Sequence, residues 1–314
     1  MKTAFLYDGQ GSQEKGMGLS FYESSPIFAS VIDEAASYLD FDLKRTMFED
    51  PDGLLNETEY TQPALAAFAA GVTDLLKENG LQPDLAAGLS LGEYSALYAS
   101  GVFDLKTLMT ITRKRGLYMT EAGAGMEALM CAVIGQDIQT LQTICDEIDR
   151  DHNGRVEISN DNAEGQIVIS GEKKAVEKAI SRLEEIKART IVLKTSGAFH
   201  TSYMAPAAGK LKILLEEQPL GTMSFPILFN ATAGPLNENE TVTDLLCRQI
   251  QSPVRMRETI LYLASQGVDK VIEIGPGKAI SGFIRRTVKG IKTVSLSGPS
   301  DLEKALLLMS KEDS

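Results

Sequence analysis

Tryptophan is absent from this chain, and 314 residues contain only two histidines and three cysteines. Cys131, Cys145 and Cys247 stand far apart in sequence, without the spacing of metal ligands. Their apolar neighbours predict buried free thiols in a reducing compartment, so the expected address is the cytoplasm. No run approaches the ~20 apolar residues that a membrane-spanning helix needs. The opening Met1-Lys2-Thr3-Ala4-Phe5-Leu6-Tyr7-Asp8 is too briefly apolar for a signal peptide and reads as a first strand. Basic residues are in deficit, 31 Lys and Arg against 43 Asp and Glu, for a net charge of −12. That balance argues against nucleic acid as the main partner. One stretch runs the other way: Lys278, Arg285, Arg286, Lys289 and Lys292 share a segment without an acid. It reads either as a solvated helical face or as a docking patch for an anionic partner. Nothing suggests a metal or a redox cofactor.

What is present is an ordinary soluble composition, 43% hydrophobic and 24% charged. Strand-like runs at 3–7 and 83–89 alternate with helical patterns at 25–39, 62–79 and 104–121, the rhythm of an α/β domain. After the break Gly123-Ala124-Gly125 the rhythm becomes strand 128–134, helix 137–150, strand 156–159, strand 166–170, helix 173–188, strand 190–194. This β-α-β-β-α-β order is the ferredoxin-like unit. Strands resume at 226–230, 270–274 and 292–296, and Gly298-Pro299-Ser300-Asp301 opens a terminal helix. The expected fold class is therefore α/β. A large α/β-hydrolase-like domain with a mainly parallel sheet (1–125 and 197–314) carries an inserted ferredoxin-like α+β subdomain (126–196).

Gly88-Leu89-Ser90-Leu91-Gly92, between an apolar run and a helical pattern, has the form of a nucleophile elbow. An ordinary glycine-containing βα loop is the alternative. A nucleophilic serine needs a base, and histidine is the usual one. His152 sits in the polar, turn-like Asp149-Arg150-Asp151-His152-Asn153-Gly154 and reads as solvated. His200 follows Ser196-Gly197-Ala198-Phe199, just past a strand, where α/β folds place chemistry. If Ser90 is a nucleophile, His200 is its base; the alternative is a structural hinge histidine. Thr201-Ser202-Tyr203-Met204 offers no acid, so a dyad oriented by a backbone carbonyl stands beside a triad as an option.

On the helix that Asp104 is placed to cap, Arg115 lies seven residues after Leu108, four after Ile111 and four before Met119. That spacing sets it on the core-facing stripe, while Arg113 and Lys114 point to solvent. An inward guanidinium needs a partner. The partner is either an internal Asp or Glu, or a substrate carboxylate held by the planar fork. A serine nucleophile beside such an arginine implies an acyl group with a free acid at its far end, of which malonyl is the smallest common example.

Six segments in order carry a family likeness: Gly9-Gln10-Gly11-Ser12-Gln13, Gly88 to Tyr94, Arg115-Gly116-Leu117-Tyr118-Met119, Gly197-Ala198-Phe199-His200, Arg248-Gln249 ahead of Ser252-Pro253-Val254, and Ile274-Gly275-Pro276-Gly277-Lys278. The chain resembles the malonyl-CoA:acyl-carrier-protein transacylases of fatty-acid synthesis and the related acyltransferase domains of polyketide synthases. The resemblance implies that Ser90 is acylated and that His200 is base and acid. It implies an oxyanion hole from the N–H groups of Gln10 and Leu91, and a carboxylate clamp at Arg115. It further implies that the Gln249 carbonyl orients the histidine. Met119 and Phe199 would line the substrate site, and Asn162, on a loop of the small domain, would approach the thioester. In related domains Ala-Phe-His accompanies malonyl rather than methylmalonyl choice, and Ala198-Phe199-His200 follows that form. Malonyl-CoA and an acyl-carrier protein would be the partners, with the 278–292 stretch as docking patch. Two positions depart from the family: Leu89 replaces the usual histidine, and Asp8 replaces a frequent proline and reads as a local turn adjustment. The rival readings are a stand-alone polyketide acyltransferase, a patatin-like or editing serine hydrolase, and a non-catalytic binding module.

Overall fold

The computed structural model describes residues 2–151, 154–194 and 197–310. Nine strands form two sheets. The larger contains β1 (Lys2–Tyr7), β2 (Leu85–Gly88), β7 (Ile227–Leu228), β8 (Val268–Ile274) and β9 (Lys292–Leu296). It runs β7-β2-β1-β8-β9 with every pairing parallel. Parallel strands are covered on both faces, so their sequences are continuously apolar; in β1 every residue after Lys2 is buried. One face packs on the alanine-rich helix Thr58–Glu78 and the rings of Phe21, Phe28 and Phe68. Ala4, Leu6, Leu228 and Val271 bury the other face against Met256, Ile260, Ile280 and Ile284.

The smaller sheet contains β3 (Ala128–Ile134), β4 (Val156–Ala163), β5 (Gln166–Glu172) and β6 (Arg189–Val192). It is antiparallel in the order β4-β5-β3-β6, which is ferredoxin-like. Alternation along its strands divides two faces. Cys131, Val133, Ile167 and Ile169 pack under the helices Ile138–Arg150 and Lys173–Glu185. Met130, Ala132 and Val168 join the main core instead. The smaller sheet is stapled to the segment before the helix Met256–Ser265, where Asp161 N–H donates to Val254 O and Val254 N–H to Ser159 O, both at 2.9 Å. Arg257 Nε reinforces the staple by pairing with the Asp161 carboxylate at 2.8 Å.

Several expectations need correction. β4 continues to Ala163 through irregularities at 158/160 and 161/163, so Asn162 lies in a bulged strand and not on a loop. Polar Asn160, Asp161 and Asn162 hide that extension from an apolar-alternation reading. Arg113 does not face solvent: its side chain is 15% exposed, paired with Asp40 at 2.7 Å and Glu59 at 2.9 Å. Its guanidinium also stacks over Phe41 and Tyr60. Lys114 is exposed. Cys131 and Cys145 are buried free thiols, but Cys247 is half-buried. His152 lies outside the described residues.

Candidate active site

The turn after β2 is forced by its glycines. A Cβ at Gly88 would stand 1.8 Å from Gly92 C, and one at Gly92 would stand 2.1 Å from Tyr7 O. Ser90 between them takes φ 53°, a left-handed conformation that L-residues rarely adopt. Asn230, at the end of β7 and fully buried, holds that conformation. Its Oδ1 accepts from Ser90 N–H and its Nδ2 donates to Gly88 O, both at 2.7 Å. Gln249 Nε2 donates to Ser90 O at 2.7 Å, and Glu93 Oε2 accepts from Asn230 N–H at 2.6 Å. The helix Gly92–Ala99 begins directly behind the serine, so its dipole favours negative charge there.

Ser90 Oγ and His200 Nε2 are 2.7 Å apart. His200 Nδ1 lies 2.8 Å from Gln249 O. A carbonyl can only accept, so Nδ1 carries the proton and Nε2 offers its lone pair to the serine hydroxyl. Burial first, and Arg115 second, push the imidazole pKa down to about 4. The ring is therefore neutral at pH 7 and able to take a proton. No carboxylate among the described residues hydrogen-bonds this ring; the carbonyl orients it.

Arg115 is 1% exposed on the inner stripe of the helix Leu105–Gly123, whose N-cap Asp104 accepts from Thr107 N–H. Its Nη1 donates to Gln62 Oε1 at 2.8 Å, and its Nη2 donates to Gln249 Oε1 at 3.0 Å and Ser90 Oγ at 3.1 Å. The guanidinium lies 4.9 Å over the Tyr94 ring. Among the described residues it pairs with no carboxylate, and its Nε–H has no acceptor. The nearby acid is Glu93, fully buried, whose carboxyl burial pushes up to about 8 despite Arg115. That shift weakens Glu93 as a counterion for the arginine, with which it makes no ion pair.

These groups face a cavity of about 140 Å³ between the two sheets. Gln10, Ser90, Arg115, Met119, Asn162, Phe199 and His200 line it, with Leu89 beside the serine and Met130, Val168 and Leu193 closing it from the smaller sheet. Leu91 and Gln249 are buried just behind. The N–H groups of Gln10 and Leu91 make no hydrogen bond among the described residues, unlike those of Leu89, Ser90 and Gly92. Asn162 Oδ1 is likewise buried without a donor. The basic residues Lys278, Arg285, Arg286, Lys289 and Lys292 are all exposed, at and beyond the ends of the helix Ala279–Thr287. Asp8 is no local turn adjustment: it is buried and bonded to Gly277 N–H at 2.8 Å across the sheet. Sequence reasoning missed Asn230, Glu93 and the Gln249 side chain. The one signal was an asparagine directly after the apolar Ile227-Leu228-Phe229, at a strand end.

A parallel α/β sheet presenting a serine–histidine pair beside a buried arginine defines an enzyme of the acyl-transfer class. The chain belongs to the acyl transferase domain family, whose profile matches residues 4–307. It is 40% identical over 313 residues to the malonyl CoA-acyl carrier protein transacylase of Bacillus subtilis (strain 168), covering 99% of this chain and 98% of that protein. The crystal structure of the malonyl CoA-acyl carrier protein transacylase from Clostridium perfringens superposes with a TM-score of 0.94 at 36% identity, covering 98% of this chain and 97% of that one. A malonyl-transacylase solved in complex with its type II PKS acyl-carrier protein gives 0.94 at 34% identity, covering 99% and 100%.

Proposed function

We propose that this chain transfers a malonyl group from malonyl-CoA to the phosphopantetheine thiol of acyl-carrier protein, in fatty-acid biosynthesis, through an ester on Ser90. Arg115 carries the choice of acyl group: a buried cation with no ion-pair partner among the described residues, 3.1 Å from the reacting hydroxyl. His200 Nε2 takes the Ser90 proton as Oγ attacks the thioester carbonyl. The N–H groups of Gln10 and Leu91 receive the oxyanion, each worth about 2.7–4 kcal/mol if typical. His200 returns the proton to the CoA sulfur as the C–S bond breaks. The carrier thiol then gives its proton to His200 and attacks the ester, and Ser90 leaves with that proton. Malonyl-CoA is the substrate, and the steps balance without a metal or redox cofactor. Met119 and Phe199 wall the acyl group, Asn162 faces the thioester arm, and the Gln249 carbonyl keeps His200 in its working tautomer.

Both this chain and acyl-carrier proteins are acidic, so docking falls to local basic residues, Lys278, Arg285, Arg286, Lys289 and Lys292. We place the reaction in the cytoplasm, where the free thiols stay reduced. Intact-protein mass after brief mixing with malonyl-CoA, then with holo acyl-carrier protein, tests the reading. A single malonyl adduct, absent from Ser90→Ala and moved to the carrier, is expected. An adduct lost to water untransferred would instead favour a hydrolase. Preferential transfer to a polyketide carrier over a fatty-acid carrier would reassign the pathway and leave the chemistry intact.

A further inference from the structure

We propose that Asp8 is a positioning residue for acyl transfer: its carboxyl group pairs with that of Glu273 and pins the Gly9-Gln10 turn, and with it the Gln10 N–H, against the Gly275-Pro276-Gly277 loop. This rests on the reading that Gln10 stabilises the oxyanion.

Asp8 is 6% exposed and Glu273 fully buried. Asp8 N–H extends the sheet ladder to Ile274 O at 3.0 Å, and Asp8 Oδ2 accepts from Gly277 N–H at 2.8 Å. The fit is close, because a Cβ at Gly275 would stand 2.4 Å from Asp8 Oδ2 and one at Gly277 would stand 2.8 Å from it. Glu273 is fully engaged: Oε1 accepts from Ile280 N–H at 2.8 Å, and Oε2 accepts from Ser281 N–H at 3.1 Å and Ser295 Oγ at 2.6 Å. Glu273 thus meets three donors and the start of the helix Ala279–Thr287, surroundings that suit negative charge. Asp8, with one backbone donor, keeps a proton directed at Glu273. Burial and the Glu273 charge push the Asp8 carboxyl up to about 8.

No other charged group among the described residues acts on Asp8 to this degree. Lys270 lies on the opposite face of β8 from Glu273. Lys278, Arg285 and Arg286 on the following helix are exposed, as is Lys292 at the start of β9. Glu93, on the helix behind the serine, is bonded to Asn230. The pair, sharing one proton, is a clamp. When Asp8 ionises, the proton between the two carboxyl groups is lost and they repel, which shifts the Asp8-Gly9-Gln10 turn and takes the Gln10 N–H from the place where negative charge develops. The loss falls on kcat and not on malonyl-CoA binding.

The test compares wild type, Asp8→Asn and Asp8→Ala in malonyl transfer to holo carrier, with kcat and KM measured from neutral to alkaline pH. Wild-type kcat is expected to fall about tenfold across the alkaline limb at constant KM, a fraction of a full oxyanion donor's worth. Asp8→Asn keeps an acceptor for Gly277 and a donor for Glu273 but cannot ionise, so that limb disappears. Asp8→Ala is expected to lower kcat about tenfold at every pH with KM within about twofold. An alkaline limb unchanged in Asp8→Asn, or a wild-type kcat in Asp8→Ala, overturns the proposal.

Thermal midpoints against pH give a readout independent of turnover. Asp8 holds its proton in the folded state above its unfolded pKa, so wild-type stability declines as pH rises from about 4 to about 8. Asp8→Asn lacks that decline, and identical slopes also overturn the proposal. Failure of wild type to transfer malonyl at any pH would sink the transacylase reading, while the thermal comparison still decides the pairing.

Discussion

Asn230→Ala tests whether the strained serine turn is held from outside. The substitution removes two hydrogen bonds of 2.7 Å, one to Ser90 N–H and one to Gly88 O. Each leaves a buried backbone group without its partner, a cost of about 1–3 kcal/mol. The cavity beside Ser90 admits water to one of the freed groups, so the lower half of the range applies. The expected loss of stability is about 3 kcal/mol, read as a shifted urea midpoint at constant slope. The chemical penalty is separate: displacing a nucleophile by about 1 Å costs about 100-fold in rate. Loading of Ser90, followed by rapid mixing and intact mass, should slow by about that factor. KM should change less than about threefold, because Arg115 keeps Gln62 and Gln249. Asn230→Asp keeps an acceptor for Ser90 N–H but turns a carboxylate oxygen on Gly88 O, so it should not restore wild-type stability. An Asn230→Ala protein that loses under about 0.5 kcal/mol and loads at the wild-type rate would refute the reasoning.

Arg115→Ala removes the guanidinium that faces the cavity and should lower kcat/KM for malonyl-CoA by about 10²–10³, the loss expected for one partner of a buried charge pair. Loading from acetyl-CoA, which has no distal acid, should change by less than about tenfold; equal losses for both would refute the clamp. His200 must be neutral to act as base, and burial lowers its pKa to about 4. Loading should thus stay flat down to about pH 5 and fall only as pH nears 4, whereas an ordinary histidine would titrate near 6.5. The unfolded chain takes that proton first, so stability drains as pH falls from about 6.5 to about 4, by about 3 kcal/mol in all. Urea midpoints of wild type against His200→Asn read this slope. Gly92→Ala places a Cβ 2.1 Å from Tyr7 O and should yield little folded protein; a soluble, loadable variant would show that the turn can shift.

What the sequence disclosed is what local pattern encodes. The Gly88–Gly92 spacing, the apolar stripe that turned Arg115 inward and the scarcity of histidines were each readable within a few residues or by elimination. The strand–helix rhythm separated two sheets because its period changed after Gly125. Groups recruited from afar were not readable. Asn230 reaches Ser90 across 140 positions, and no periodicity announces that its amide bonds both Gly88 O and Ser90 N–H. Arg113 and Arg115 differ by two places on one helix, yet Asp40 and Glu59 absorb the first while no carboxylate meets the second. Asn162 was misplaced because a bulged strand built of polar residues has no apolar alternation.

The site's electrostatics follow from how burial divides its charges. Desolvation penalises every ion in the cleft, but only the carboxylates and the imidazole can escape by changing protonation. Burial shifts Glu93 toward its protonated form and His200 toward its neutral form. Arginine cannot follow, because its guanidinium stays charged at any pH a protein survives. Burial thus strips the neighbourhood of compensating anions and leaves Arg115 as the lasting charge in the cavity, with Gln62, Gln249 and the Tyr94 ring giving it partners but no counterion. A lysine there could deprotonate and relax the imbalance, which would remove the preference for an acid-bearing acyl group. Such a preference therefore requires both an arginine and acids driven neutral around it.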